Sequence, residues 1–169
     1  MFDMRMLAVA LAAALTGLST AGAEAREVVQ FDSGYEPGTI VVRSAERKLY
    51  LVTGYGSAVR YPVAVGRIGK QWSGTAFVAG KYVNPAWSPP AEIKRDKPSL
   101  PNVIPGGTKG NPMGTRALVL DRGQYAIHGT NNPKSIGTFA SYGCVRMHNA
   151  DIQDLYERVG VGTTVVVTR

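Results

Sequence analysis

Short runs of β-branched and aliphatic residues, most of them bounded by glycine, dominate this 169-residue sequence. Only one segment carries a helical stripe. That punctuation restricts the chain to a mostly β domain. Thr39-Ile40-Val41-Val42 is a β-branched run. Lys48 to Val52 alternates weakly, and Gly54-Tyr55-Gly56 turns it back towards a third strand, Val59 to Val65. Ala117 to Leu120 and Tyr125 to His128 flank Asp121-Arg122-Gly123 and read as a hairpin. His128 then stands at a strand end, a rigid mount. Asn149 is placed to cap the one clear helix, Asp151 suits its first turn, and Ile152, Leu155, Tyr156 and Val159 form its apolar stripe. Gly160 or Gly162 ends it, and Thr163 to Val167 is a final buried strand. The expected fold is a sandwich or barrel-like sheet pair with one short helix. Asn84 to Gly114 is rich in proline and glycine with little periodicity. A loop that long in a small domain is usually functional, and here it would wall a cleft.

The N-terminus has a different character. Leu7 to Leu18 is an apolar run, too short to span a bilayer comfortably. Small residues and Ala23-Glu24-Ala25 follow it. Residues 1–25 are therefore predicted to be a secretory signal peptide cut after Ala25. Met4 would give it a cleaner start than Met1. No cysteine follows the apolar run, which argues against a lipid anchor, and no later segment reads as a membrane span. Residues 26–38 read as a lead-in and 39–169 as one domain, large enough to bury a core without disulfides. The formal charge is +7, and removing residues 1–25 raises it by one, since Asp3 and Glu24 outweigh Arg5. A basic exported protein points to an anionic partner. Scattered charges and an extracytoplasmic destination argue against nucleic acid.

The chain contains a single cysteine, Cys144, and two histidines, His128 and His148. A lone cysteine in an exported protein is open to oxidation and to pairing between chains, so its presence favours chemistry over packing. An imidazole nearby converts a thiol to a thiolate. Gly143, just before the thiol, leaves room for a substrate carbonyl and for backbone N–H groups aimed at an oxyanion. The pattern is that of a Cys-His acyl-transfer site, with Cys144 as nucleophile and His128 as general base. His148 lies just before the helix and, across an extended 145–147, sits too far from sulfur to serve; it reads as a surface residue. The spacing of Cys144, His128 and His148 matches no common zinc site. Arg146, two residues past the thiol, shares its strand face. It suits a two-pronged grip on a substrate carboxylate or a structural tie to carbonyls or Asp151. Ser141 suits a hydrogen bond across the turn or a place at the substrate. Trp87 suits packing more than a cleft wall. Gly106-Gly107-Thr108-Lys109-Gly110 lacks the spacing and the following helix of a phosphate loop.

At His128, Ser141, Gly143, Cys144, Val145 and Arg146 the chain resembles the L,D-transpeptidase catalytic domain of the YkuD type. That family's pattern is a histidine, roughly fifteen residues, then Ser/Thr-x-Gly-Cys, a hydrophobic residue, and Arg or Asn. Asn84-Pro85-Ala86-Trp87-Ser88-Pro89-Pro90, Gly110-Asn111-Pro112-Met113-Gly114 and Asp151-Ile152-Gln153-Asp154-Leu155-Tyr156 also resemble family segments, in order. The likeness runs from about Gly38 to the C-terminus. It implies a mostly β fold and acyl transfer on peptidoglycan stem peptides in cell-wall biogenesis. Cys144 would attack the third stem residue, a diamino acid, and release D-Ala. The acceptor would be an amine of a second stem or of an outer-membrane lipoprotein. Water as acceptor would make the chain a carboxypeptidase or amidase, and a wall-binding module without catalysis is a further alternative. The resemblance also implies that a backbone carbonyl, that of Gly129, orients His128, and that N–H groups near Tyr142, Gly143 and Cys144 hold the oxyanion. It implies no cofactor or metal, a periplasmic or envelope location, and a thiol that carbapenems acylate. Two positions depart from the pattern. Tyr142 stands where histidine often precedes Gly-Cys, and Trp72-Ser73-Gly74-Thr75 stands where many relatives carry Thr-Pro.

Overall fold

A computed structural model describes residues 26–32 and 34–169. The predicted signal peptide lies outside the described residues. The strands are β1 (Glu27–Phe31), β2 (Ile40–Arg43), β3 (Lys48–Gly54), β4 (Gly56–Gly66), β5 (Gly74–Val83), β6 (Arg116–Leu120), β7 (Ala126–His128), β8 (Phe139–Ser141), β9 (Val145–Met147) and β10 (Thr164–Thr168). Two helices, α1 (Ala91–Asp96) and α2 (Asn149–Arg158), and a 3-10 turn at Pro133–Ser135 complete it.

The strand order β4-β3-β2-β10-β5-β6-β7-β9 closes on itself because β9 also pairs with β4. The result is barrel-like, with β1 and β8 attached to β4. The eleven-residue β4 makes this closure possible. Its first half pairs with β1 and β3, and its last residues pair with β9 and β8. Ile40, Leu49, Leu51, Tyr61, Leu118, Ile127, Met147, Ile152 and Leu155 fill the enclosed core. Each such side chain, fully buried, stabilises the fold by about 1.5–3 kcal/mol.

The weak alternation of β3 has a physical cause: both of its faces are covered. Leu49 and Leu51 face the main core, while Tyr50 and Val52 join Phe31, Val41 and Ala58 in a smaller outer cluster. Phe31 stacks on Tyr50 at 4.3 Å, and Arg43 lies over both rings. Phe31 belongs to β1, so the segment read as a lead-in contributes an edge strand.

Three further elements differ from the sequence reading. β5 was not expected, because Gly74 and Gly80 interrupt its pattern; the register shifts between Val78 and Gly80. The Asn84–Gly114 stretch contains α1, a second short helix that buries none of its residues. Helix α2 forms as expected, but His148 occupies its cap position and makes no side-chain cap bond. Among the described residues, no helix is long and apolar enough to cross a membrane.

Candidate active site

The site grows out of one short parallel pair. Strands β7 and β9 align Ile127 with Val145 and His128 with Arg146. Ile127, Val145 and Met147 belong to the core. Side chains alternate along a strand, so His128 and Arg146 face the other way, and Cys144 stands just before β9. Arg146 lies close enough to act electrostatically on both His128 and Cys144.

His128 is only 4% exposed. Its Nδ1 lies 2.7 Å from the Gly129 carbonyl. A carbonyl can only accept, so Nδ1 carries the proton and Nε2 keeps the lone pair that a general base needs. Burial, and after it the Arg146 charge, push the imidazole pKa down from 6.5 to about 4. The backbone carbonyls of Gly129, Met113 and Pro112 oppose that shift without reversing it.

Cys144 is half-buried. Its Sγ lies 3.8 Å from the Gln124 carbonyl. Burial pushes the thiol pKa up, while a backbone hydrogen bond from Ala126 and the Arg146 charge favour the thiolate. This corrects the expectation of a resting thiolate. At neutral pH the thiol keeps its proton and the imidazole lacks one, because desolvation disfavours both charged forms. Two such groups suit proton transfer during an attack better than a standing ion pair.

The turn before the thiol is held on every side. Gly143 has φ +121°, and a Cβ there would sit 2.4 Å from Cε1 of Tyr125. Only glycine fits that conformation and that gap. The Tyr125 ring, rather than open space, occupies the room beside Gly143. Trp72 stacks on Tyr125 at 5.2 Å and donates from Nε1 to the Gly143 carbonyl at 3.0 Å. Ser141 Oγ accepts from the Gly143 N–H at 3.1 Å and donates to the Cys144 carbonyl at 2.6 Å. At 1% exposure Ser141 braces the turn and does not face a substrate. Its hydroxyl also engages the Gly143 N–H, one of the expected oxyanion donors. The Gly129 N–H is likewise engaged, by the Arg116 carbonyl.

Tyr142 points outward. Its hydroxyl donates to Asp96 at the end of α1 at 2.5 Å, and Arg67 lies 3.9 Å over its ring and bonds the same carboxylate. These contacts, with the Lys70–Glu92 ion pair, fasten α1 to the site's flank. The Arg146 side chain forms no hydrogen bond or ion pair with any described residue. The structural tie to Asp151 is absent, which leaves a partly buried guanidinium beside the thiol. His148 stays half-exposed, as expected of a surface residue.

Sequence reasoning missed Trp72, Tyr125, Arg67, Asp96 and Asn149. Trp72 and Gly143 are 71 residues apart, so no local spacing could join them. Asn149 was read as a helix cap. Its side chain instead bonds the backbone of Thr115 and Thr130. A cleft of about 480 Å³ lies beside these residues, lined by Asn84, Lys109, Asn111, Thr115, Thr130 and Asn149 among others.

Known proteins share this chain's sequence and fold. The curated Escherichia coli protein "Probable L,D-transpeptidase YbiS" is 42% identical over 135 residues, covering 75% of this chain and 43% of that protein. The chain thus spans less than half the length of that relative. A solved Brucella melitensis structure, described as a "Probable carnitine operon oxidoreductase caia", is 42% identical, covers 86% of this chain and 94% of its own, and superposes with a TM-score of 0.57. L,D-transpeptidase 3 from Mycobacterium tuberculosis, solved in complex with a faropenem-derived adduct, shares the fold at 14% identity and a TM-score of 0.59, covering 78% of this chain and 60% of that one. Residues 37–167 match the family model YkuD, the L,D-transpeptidase catalytic domain. The match covers most of the chain, and the chain belongs to that family.

Proposed function

We propose that this protein is a peptidoglycan L,D-transpeptidase in which Cys144 is the nucleophile and His128 the general base. The observation that carries this reading is the pairing of His128 with Arg146, whose charge reaches both the imidazole and the Cys144 thiol, with the imidazole tautomer set by the Gly129 carbonyl. Sγ attacks the carbonyl of the third stem residue as His128 Nε2 takes the thiol proton. A C–S bond forms, and the oxyanion is held by backbone N–H groups at Tyr142 and Cys144. The intermediate collapses, the C–N bond to D-Ala breaks, and His128 returns the proton to the leaving amine. An amine of a second stem, or of a lipoprotein, then attacks the thioester. It gives its proton to the thiolate through His128, and the thiol is restored.

Arg146 holds a stem carboxylate in this scheme. That anion would also cancel the positive charge that helps to depress the His128 pKa, so substrate binding would make the base stronger. Family membership supports the stem peptide as substrate. The faropenem-derived adduct of the mycobacterial neighbour supports a β-lactam-reactive thiol. The apolar run ahead of Ala23-Glu24-Ala25 supports export, with a mature chain starting at Arg26 in the periplasm or envelope. The boundary of the catalytic domain at residue 39 is part of the same reading, with β1 as an added edge strand.

The test is incubation with purified disaccharide-tetrapeptide and mass spectrometry of the products. A cross-linked product with D-Ala released is expected from the wild type, and none from Cys144→Ser. Cross-linking by the serine variant would remove Cys144 from its role. A tripeptide product alone would assign the hydrolytic activity.

A further inference from the structure

His128 is oriented by a peptide group, and that peptide group is held by one side chain. We propose that Asn149 is the positioning residue of the general base, acting through the Gly129–Thr130 peptide. The proposal rests on the reading of His128 as the base.

The Gly129 carbonyl and the Thr130 N–H belong to one planar trans peptide, so they point in opposite directions and turn together. The carbonyl lies 2.7 Å from His128 Nδ1. On the other side, the Thr130 N–H donates to Asn149 Oδ1 at 3.1 Å. Fixing that N–H fixes the carbonyl, and the carbonyl fixes the imidazole. Asn149 Nδ2 donates to the Thr130 carbonyl at 3.1 Å, so both backbone groups of Thr130 are gripped. Oδ1 also accepts from the Thr115 N–H at 3.3 Å, tying in the loop that carries Pro112 and Met113, whose carbonyls act on the imidazole.

The neighbouring glycines fit this role. A Cβ at Gly129 would sit 2.1 Å from Asn149 Oδ1, and one at Gly114 would sit 2.2 Å from the same atom. Both positions are bare where the amide is wedged between them. Asn149 thus supplies the orientation that a carboxylate supplies to histidine in many other sites. It does so without a buried negative charge, which would raise the His128 pKa. Asn149 also lines the 480 Å³ cleft, so a role in holding substrate there is the rival account, and kinetics separate the two.

The test compares wild type, Asn149→Ala, Asn149→Asp and His148→Ala. Acylation by imipenem is followed by stopped flow over a concentration series, and the imidazoles are titrated by ¹⁵N NMR, with His148→Ala assigning the two. Asn149→Ala is expected to lower the limiting acylation rate by about 10–100-fold, the scale of an ångström-sized misplacement. The half-saturating concentration should stay within about twofold, since Asn149 touches no reacting atom. The Nδ1 resonance of His128 should shift. Asn149→Asp keeps an acceptor for both N–H groups, so it should recover part of the rate while its charge raises the His128 titration. If Asn149→Ala fails to fold, the aspartate variant carries the test through that titration. An unchanged limiting rate and an unchanged His128 resonance would overturn the proposal. So would a loss confined to half-saturation, which would assign Asn149 to the cleft. A wild type that imipenem does not acylate would count against the Cys144 reading, and the NMR arm would still decide the role of Asn149.

Discussion

The two halves of the site are built by different means. The proposed base sits in a β-ladder: His128 is paired on both sides, with Ala117 and with Arg146, and its ring is steered by carbonyls. The proposed nucleophile, Cys144, sits on a turn that no ladder could hold, with Gly143 at φ +121°. Side chains hold it instead: Trp72 on the carbonyl and Tyr125 against the Cα come from remote segments, and Ser141, two residues back, takes the N–H. The difference follows from what each group must do. A base needs a fixed tautomer and a dry pocket, which a strand end supplies. A nucleophile on a tight turn needs an irregular backbone, and irregular backbone persists only where the surroundings over-determine it.

The comparison breaks most readily at the base. His128→Ala should lower turnover by about 10²–10⁴-fold, the usual loss with a general base, while the ladder keeps the fold. Stem-peptide turnover and the thermal midpoint, measured together, check this. A variant that loses its midpoint along with its rate would show that the imidazole is structural.

The nucleophile turn should break differently, losing stability and rate together. Gly143→Ala places a Cβ 2.4 Å from Tyr125 and forces alanine to a positive φ. Roughly 1–3 kcal/mol of destabilisation is expected from the backbone alone, with further strain from the ring. Urea denaturation and imipenem acylation would show it. Native stability with normal acylation would mean that the turn adapts.

A pH series sharpens the burial argument for the base. The folded His128 pKa of about 4 lies below its ordinary 6.5. Between those values the unfolded chain binds the proton and the folded one does not. Stability is therefore full above about pH 6.5 and falls as pH drops towards 4, by roughly 3 kcal/mol at most. Denaturation of wild type against His128→Gln at pH 7 and 4.5 isolates that contribution. Parallel curves would mean that the imidazole is not desolvated.

The smallest effect is expected at Trp72. Trp72→Phe keeps a ring against Tyr125 and removes the donor to the Gly143 carbonyl. One net hydrogen bond is worth about 0.5–1.5 kcal/mol, and the acylation rate should fall by about tenfold or less. A rate equal to wild type would show that stacking alone holds the turn.

Local pattern carried the sequence reading as far as local forces reach. The β-branched runs became β2, β3, β4 and β10, and the Ile152–Leu155 stripe became the buried face of α2. The hairpin that ends at His128 was legible from Asp121-Arg122-Gly123. Strand β5 was not, since its glycines are justified only by a bulge against β6, and β1 gains its place only from β4. Helix α1 buries none of its residues, and ion pairs join it to Arg67 and Lys70.

The sequence by itself determined the residue types and their order: one thiol, a histidine at a strand end, a glycine where the turn demands it, and an arginine two residues past the thiol. Tertiary structure alone decided their physical state. Burial depends on what the rest of the chain places around a side chain, so the protonated thiol and the neutral imidazole could not be read from spacing. The partners of Gly143 and of the Gly129–Thr130 peptide come from residues 72, 125 and 149. Those contacts form once β4, β7 and β9 lie side by side in the sheet. Asn149 shows the limit most plainly: its local context suggests a helix cap, and the folded chain turns its amide towards the base.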